Sequence, residues 1–200
     1  MPTAATADSS PTILIVGDSL SAGYGLPLGT GWVDLLEERL QQKGYEYRTV
    51  NASISGDTTA GGLARLGPAL ERHRPALVVI ELGGNDGLRG LPISVMRTNL
   101  AQMIELSASH GARVALLGMR IPENYGARYT DEFRGVYGEL AERYDVPLVE
   151  FFMDGVALNP ELMLADGIHP NEAGQPVLLD NAWPAIAAAL ADTPETLAAD

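Results

Sequence analysis

The stretch ILIVGDSLSAGYG, residues 13–25, places a run of aliphatic residues directly before a polar turn. Its first four residues show no polar alternation, which is typical of a strand buried on both faces of a parallel sheet. Asp18 and Ser19 follow after one glycine, at the carboxyl end of that strand, where α/β folds bind their ligands. The stretch therefore indicates an α/β fold, and Ser19 is interpreted in three ways: as a helix cap, as part of an anion site or as a nucleophile.

Four further apolar runs have the same character as the first. They predict strands at Tyr47–Val50, Leu77–Leu82, Val114–Leu117 and Val146–Phe151. Segments with helical periodicity lie at 31–44, 93–111, 131–144 and 175–190, with Ser94 as an expected N-cap and Gly44 and Gly111 as expected C-terminal stops. Strand and helix in alternation predict right-handed βαβ units in a three-layer α/β/α sandwich.

Length and composition limit the classes of protein to consider. The 200 residues fit one domain, expected over 12–190, between a disordered N-terminal segment 1–11 and a C-terminal tail 191–200. A formal net charge of −13 disfavours nucleic acid and anionic lipid surfaces as partners. The absence of cysteine excludes disulfides, thiolate nucleophiles and cysteine-based zinc sites. The opening MPTAATADSSPT lacks the apolar core of a signal peptide or membrane span.

Polar residues follow the other predicted strands as well. The second strand is followed by NASISGD at 51–57, the third by GGND at 83–86, and a late polar cluster, ADGIHP, occupies 165–170. Since the carboxyl ends of parallel strands meet at one edge of a sheet, these segments are expected to converge there with Ser19. The sequence thus predicts a hydroxyl, an amide, an acid and an imidazole at one edge.

A nucleophilic serine needs a base, and the chain has three histidines. His73 and His110 lie at polar helix ends, where structural or solvated roles are expected. His169 precedes Pro170, which favours a loop, and Asp166 three residues earlier could orient the imidazole through Nδ1. On this spacing alone, an Asp–His hydrogen bond at the surface is an equally good interpretation.

Acyl transfer also needs hydrogen-bond donors for the oxyanion. The candidates are the backbone N–H of Ser19, that of Gly56 and the side-chain amide of Asn85, although Gly56 could be an ordinary turn glycine and Asn85 a loop former. The chain has no G-x-x-x-x-G-K-[ST], G-x-G-x-x-G, H-E-x-x-H or G-x-S-x-G motif. Their absence disfavours phosphate-loop, dinucleotide-binding and zincin chemistry and the usual α/β-hydrolase arrangement.

Four blocks taken together resemble the GDSL, or SGNH, hydrolases. They are GDSLSAGYG, NASISGDTTAGGLARL, VVIELGGNDGLRG and DGIHP, in the family's order over roughly residues 12 to 190. The resemblance is greatest to the bacterial branch of multifunctional thioesterase, lysophospholipase and arylesterase enzymes. It implies a flavodoxin-like sandwich with a five-stranded parallel sheet, no metal and no cofactor.

The resemblance also implies roles for individual residues. The nucleophile falls on Ser19, the acid and base on Asp166 and His169, and the oxyanion donors on Ser19, Gly56 and Asn85. A mobile substrate-binding loop falls on Gly87, Leu88, Arg89, Gly90, Leu91 and Pro92. Asp18 and Asp86, beside the site, are expected to hold loops by hydrogen bonds to the backbone.

The resulting hypothesis is a serine esterase and thioesterase that hydrolyses aryl esters, lysophospholipids and acyl-CoA-type substrates through an acyl-serine intermediate. It expects a small-molecule acyl substrate, no nucleic acid partner, no stable membrane insertion and a monomer, and the resemblance implies a periplasmic or secreted location. Two alternatives remain open: a carbohydrate acetylesterase of the same superfamily, and a non-catalytic module that holds an anion at the first helix N-terminus.

Overall fold

The computed structural model describes residues 10–191, which form five strands and seven α-helices. The strands are β1 (Thr12–Gly17), β2 (Arg48–Asn51), β3 (Leu77–Glu81), β4 (Arg113–Leu117) and β5 (Leu148–Val149). The helices are α1 (Ser19–Ala22), α2 (Trp32–Gln42), α3 (Thr59–His73), α4 (Gly84–Leu88), α5 (Ile93–Ser109), α6 (Ala127–Tyr144) and α7 (Gln175–Ala191). The predicted disorder of residues 1–9 and the predicted tail beyond residue 191 lie outside the described residues.

The five strands form one parallel sheet in the order β2-β1-β3-β4-β5. This is the strand order of flavodoxin-like folds. In these folds the order in which strands are added to the sheet reverses between the first strand and the third. The ladder between β1 and β3 runs from Ile13 opposite Leu77 to Gly17 opposite Glu81. The predicted flavodoxin-like fold is confirmed, and the exits of β1 and β3 lie side by side.

Helices cover both faces of the sheet. Helix α2 packs against α7, whereas α3 packs against α5 and α5 against α6. Every residue of β1 and β3 is buried, as their uninterrupted aliphatic runs predict. Each fully buried aliphatic side chain contributes about 1.5–3 kcal/mol of transfer free energy, so these two strands form a rigid base for the residues that follow them.

Most predicted boundaries are shifted by only one or two residues, and three elements need a further correction. The predicted strand Val146–Phe151 is limited to Leu148–Val149, since Pro147 has no N–H and contributes only its carbonyl, which accepts from the Leu116 N–H at 2.9 Å. Helix α5 begins at Ile93, so the predicted N-cap role of Ser94 is wrong. Pro92 occupies the cap position, where its fixed φ suits the start of a helix. Helix α6 begins at Ala127, one turn before the predicted start.

Candidate active site

The turn that carries Ser19 joins β1 to the short helix α1. Asp18 is the N-cap of this helix, because its Oδ1 accepts the Leu20 N–H at 3.0 Å. Ser19 is the first residue inside the helix and is partly buried. The interpretation of Ser19 as the helix cap is therefore wrong, since its neighbour fills that role and leaves the Ser19 hydroxyl free for another partner.

That partner is His169. The imidazole Nε2 lies 2.9 Å from Ser19 Oγ, and Nδ1 lies 2.7 Å from Asp166 Oδ2. The structure thus brings the three predicted residues into one continuous line of hydrogen bonds. The other two histidines lie elsewhere: His73 is the last residue of α3, and His110 follows α5 with its Nδ1 2.9 Å from the Leu106 carbonyl.

The loop that carries His169 is held by hydrogen bonds within itself. Asp166 Oδ1 accepts the backbone N–H groups of Ile168 at 2.9 Å and His169 at 3.0 Å, and the Leu164 N–H donates to the His169 carbonyl at 2.7 Å. The backbone N–H of His169, followed by its imidazole and the Ile168 N–H, lowers the pKa of Asp166 to about 2. The carboxylate is therefore ionised at neutral pH and fixed in orientation on both oxygens.

Tyr24 covers one face of the imidazole, a contact that the sequence does not predict. Its ring centroid lies 4.4 Å from that of His169 with a tilt of 38° between the planes. The Tyr24 side chain is itself 51% exposed. The tyrosine lies in the glycine-punctuated part of the opening stretch, where sequence spacing gives no sign of a partner 145 residues away.

Gly56 lies in a turn next to the exit of β1. The Ile54 N–H donates to the Gly17 carbonyl at 3.0 Å, which holds the turn beside the Ser19 segment. Gly56 has a φ of +79°, in the left-handed region that favours glycine, and its carbonyl accepts Arg89 Nη2 at 2.7 Å. The predicted donor residue thus sits in a fixed turn whose carbonyl is bound by the 87–92 segment.

Asn85 lies in α4, at the exit of β3, and its Nδ2 donates to Asp18 Oδ2 at 2.9 Å. Asp18 is only 3% exposed, and this burial raises its pKa to about 6 against the opposing effect of the bonds from Leu20 and Asn85. The neighbouring Asp86 accepts from the Thr59 N–H at 2.9 Å and from its hydroxyl at 2.6 Å. Both aspartates accept a backbone N–H, as predicted, and Asp18 also orients the Asn85 amide.

Arg65 of α3 forms hydrogen bonds at the carboxyl ends of both β1 and β2. This residue was not identified from the sequence. Its Nε donates to Asp57 Oδ2 at 2.7 Å, its Nη2 to the Gly17 carbonyl at 3.2 Å, and its Nη1 to the Ala52 carbonyl. A guanidinium can satisfy several acceptors in a planar array. The only sequence signal is a single arginine between leucines on the buried side of α3.

The segment 87–92 is fixed at two further points by tyrosine hydroxyls. Tyr125 donates to the Leu88 carbonyl at 2.7 Å, and Tyr129 donates to the Leu91 carbonyl at 2.8 Å. The two leucines are 41% and 36% exposed. The segment therefore presents apolar side chains next to the Gly56 turn, and its predicted mobility stays a prediction.

Three other features of residues 10–191 bear on binding. No helix in this range has the length and apolar character needed to span a membrane. No group of three or more His, Asp or Glu side chains in it could hold a metal ion. A cavity of about 520 Å³ lies at the amino ends of β4 and β5, next to Arg113 and Val146. None of Ser19, Asp166 and His169 lines it.

Comparison with known proteins agrees with this geometry. Residues 15–177 match the GDSL-like lipase/acylhydrolase family. The chain is 54% identical over 178 residues to esterase TesA of Pseudomonas aeruginosa, covering 89% of each protein, and a crystal structure of TesA superposes with a TM-score of 0.87 over 89% of this chain and 99% of that one. It is 47% identical over 174 residues to thioesterase 1/protease 1/lysophospholipase L1 of Escherichia coli, covering 87% of this chain and 82% of that protein.

A third similar protein is the psychrotrophic esterase EstA from Pseudoalteromonas sp., whose crystal structure was determined in a form inhibited by monoethylphosphonate. It superposes with a TM-score of 0.86 at 42% identity over 90% of this chain and 99% of that one. Family match, sequence identity and fold all agree with the resemblance seen in the four sequence blocks. The chain belongs to the GDSL-like lipase/acylhydrolase family and is a serine hydrolase.

Proposed function

We propose that Ser19 is the nucleophile, His169 the general base and Asp166 the acid that orients it. The observation that carries this proposal is the pair of hydrogen bonds made by one imidazole, at 2.9 Å to Ser19 Oγ and 2.7 Å to Asp166. With Nδ1 protonated and bound to the carboxylate, Nε2 is free to accept the serine proton. The ionised Asp166 stabilises the imidazolium that this transfer creates.

The reaction then follows the acyl-enzyme route. Ser19 Oγ attacks the substrate carbonyl carbon as its proton passes to His169 Nε2, and the carbonyl π electrons move onto oxygen. The tetrahedral intermediate collapses, the alcohol or thiol leaves with the proton from His169, and an acyl-serine ester remains. Water, deprotonated by the same imidazole, attacks this ester and releases the carboxylic acid and free Ser19.

The oxyanion would bind to the backbone N–H groups of Ser19 and Gly56 and to Asn85 Nδ2. The bond from Asn85 to Asp18 supports this role, because an amide nitrogen has two hydrogens, and the one engaged by Asp18 fixes the direction of the other. Donors fixed before the reaction stabilise a developing charge without reorganisation, and loss of one costs about 2.7–4 kcal/mol in other serine hydrolases.

We propose acyl esters and thioesters as the substrates, including aryl esters, lysophospholipids and acyl-CoA-type thioesters. The names of similar proteins support this range. They are an esterase, thioesterase 1/protease 1/lysophospholipase L1 and, at 48% identity, an arylesterase of Vibrio mimicus. The segment 87–92, with its exposed Leu88 and Leu91, would contact the acyl chain.

We also propose a periplasmic or secreted location and a monomeric state, both on the family resemblance. Cell fractionation tests the location, and size-exclusion chromatography tests the oligomeric state.

The test of the proposed roles is Ser19→Ala, assayed with p-nitrophenyl esters. We expect kcat to fall by about four orders of magnitude or more, as expected when a nucleophile is removed, with an unchanged circular dichroism spectrum. A phosphonate ester should label the wild-type chain once, at Ser19, by mass spectrometry. Turnover retained by the variant, or labelling at another residue, would overturn the assignment.

The proposed substrate class has its own test in a series of p-nitrophenyl esters of increasing chain length. Comparable or rising kcat/KM from acetyl to medium-chain esters is expected if exposed apolar side chains of the 87–92 segment contact the acyl group, because each buried methylene contributes about 0.8 kcal/mol. A sharp preference for acetyl would instead favour the carbohydrate acetylesterase alternative.

A further inference from the structure

Glu81 is a fully buried acid that the mechanism above does not use. It is the last residue of β3, has no exposed surface and lies opposite Gly17 in the ladder between β1 and β3. Carboxylates are rarely buried unless they are paired or hydrogen-bonded. A buried carboxyl group beneath the turn that carries Ser19 is therefore expected to have hydrogen-bond partners there.

One carboxyl oxygen of Glu81 binds both sides of that turn. Glu81 Oε2 accepts the Asp18 N–H at 3.3 Å and forms a 2.7 Å hydrogen bond with Ser21 Oγ. Asp18 and Ser21 lie before and after Ser19 in the chain. Two bonds to a single buried atom thus fix the backbone on either side of the serine, and the turn cannot shift without breaking one of them.

The contact depends on Gly17 and extends to α2. A Cβ atom on Gly17 would lie 2.7 Å from Glu81 Oε2, so any larger residue would displace the acid. Trp32, which is fully buried, donates from Nε1 to Ser21 Oγ at 3.2 Å. The line from Trp32 through Ser21 to Glu81 connects the helix layer with the Ser19 turn through well-buried polar atoms.

The surroundings of Glu81 favour its neutral form. Its Oε1 is buried and makes no hydrogen bond within residues 10–191, and no ion pair of the described chain includes Glu81. The groups that face it are the carboxyl of Asp18 and the phenol of Tyr137, neither of which is a cation. Burial, reinforced by the charge of Asp18, raises the pKa of Glu81 well above its ordinary value. Ionisation would place negative charge on a buried carboxyl group that has, among the residues described, one oxygen without a hydrogen bond and no cation beside it, which favours the neutral acid.

We propose that Glu81 is a positioning residue that, as a neutral carboxylic acid, holds the Ser19 turn from inside the sheet. The inference rests on the proposed role of Ser19 as nucleophile. It assigns Glu81 an effect on the rate of attack and not on substrate binding, because the residue lies below the turn and has no surface open to a substrate.

The test compares Glu81→Gln with Glu81→Leu. Glutamine keeps a neutral acceptor of the same size, whereas leucine keeps the volume and removes the acceptor. We expect Glu81→Gln to retain kcat within about threefold and Glu81→Leu to lose about tenfold or more, with KM within about threefold in both, since an effect confined to the transition state appears in kcat. The pH profile of kcat/KM should be the same for Glu81→Gln and wild type.

In folded Glu81→Leu, the rate at which a phosphonate ester labels Ser19 should fall in parallel with kcat. Glu37→Leu is a matched control, because Glu37 accepts a hydrogen bond from Thr49, opposite Ile13 and remote from the Ser19 turn. It should label at the wild-type rate. If Glu81→Leu does not fold, Ser21→Ala removes one of the two Oε2 bonds with little loss of volume and should still slow labelling about threefold or more.

Three outcomes would overturn this inference. Wild-type labelling rates in folded Glu81→Leu would show that the turn is held without Glu81. Wild-type labelling rates in Ser21→Ala would show that the bond between Glu81 and Ser21 does not hold the turn, contrary to the proposal. Losses in Glu81→Gln as large as those in Glu81→Leu would show that the charged form matters. Failure of the proposed function would appear differently, as a wild-type protein that is not labelled at Ser19.

Discussion

The turn that carries Ser19 and the loop that carries His169 meet across one hydrogen bond of 2.9 Å, yet they are built in different ways. The Ser19 turn lies at the exits of two central strands and is bound by residues distant in sequence, notably Glu81 and Arg65. The loop at 164–170 is held by bonds between residues within a few positions of one another. The proposed nucleophile is thus fixed by the fold, whereas the proposed base is fixed by its own loop.

One aspartate in each region illustrates the difference. Asp18 is buried, and burial raises its pKa from the ordinary 3.8 to about 6. Asp166 is exposed, and the bonds it accepts, chiefly from the His169 N–H, lower its pKa from 3.8 to about 2. The pKa of an aspartate is therefore shifted in opposite directions on the two sides of one site. Experiments that change each aspartate separate the contribution of the fold from that of the loop.

Of the changes to the two aspartates, Asp166→Asn has the larger expected effect on rate. The amide keeps the size of the carboxylate but can no longer stabilise the imidazolium, and general-base catalysis is worth about 10²–10⁴-fold in rate. We expect kcat for p-nitrophenyl esters to fall at least about 100-fold with little change in KM. Fast substrate turnover in this variant would mean that the loop holds His169 productively without the charge.

Asp166→Asn also tests the source of stability in the loop. Because the folded pKa of about 2 is below the ordinary 3.8, the carboxylate stabilises the fold above pH 3.8, and this contribution is lost as pH falls towards 2. Urea unfolding at pH 2, 3, 4 and 5 should therefore show a gap between wild type and variant that closes at the acid end. A gap of constant size would contradict this assignment.

A smaller effect on rate is expected from Asp18→Asn in the Ser19 turn. Asp18 accepts both the Leu20 N–H and the Asn85 amide, and an asparagine amide has only one acceptor oxygen, so one bond is lost in either orientation. If the bond to Asn85 is lost, the amide of this proposed oxyanion donor is no longer aligned. We expect kcat to fall about tenfold, the equivalent of about 1.4 kcal/mol in the transition state, with KM less affected.

The stability of Asp18→Asn should change with pH in the direction opposite to that of Asp166→Asn. A folded pKa of about 6, above the ordinary 3.8, means that Asp18 stabilises the fold below pH 3.8 and that this contribution is lost as pH rises towards 6. Between pH 4 and 7 the variant should gain about 2 kcal/mol relative to wild type in urea unfolding. A relative loss over that range would contradict burial as the cause.

The sequence predicts the Ser19 side of the site at the level of the fold. Uninterrupted aliphatic runs identify β1 and β3, and parallel strands bring their exits to one edge, so strand pattern alone places Gly17 to Ser19 together with Asn85. Spacing and the small number of histidines identify His169 and Asp166 as candidates, but a surface hydrogen bond is an equally good interpretation of that spacing. Only the family resemblance implies their roles. The start of β5 is mispredicted because the apolar run includes Pro147, which has no N–H to donate, so the strand begins only at Leu148.

The supporting contacts cannot be predicted in this way. Glu81 is one charged residue inside the predicted strand Leu77–Leu82, and only the ladder register opposite Gly17 places it beneath the turn. Arg65 appears as an ordinary charged residue of a helix, and its three acceptors come from segments that the chain brings together only when the sheet forms. Local sequence pattern identifies the reactive groups and the ends of the strands. The register between strands, which forms only in the folded protein, determines which side chains bind and position those groups.

Tyr24 gives the smallest expected effect and tests where the two regions touch. It follows the Ser19 turn in sequence but packs against His169 of the other region, with ring centroids 4.4 Å apart. Such an aromatic pair contributes about 0.5–1.5 kcal/mol beyond burial, so Tyr24→Ala should lower kcat/KM about two- to tenfold. Tyr24→Phe keeps the ring and should stay near wild type. A loss in Tyr24→Phe as large as in Tyr24→Ala would assign the effect to the hydroxyl. Equal activity in all three proteins would mean that the loop orients the imidazole without help from the turn.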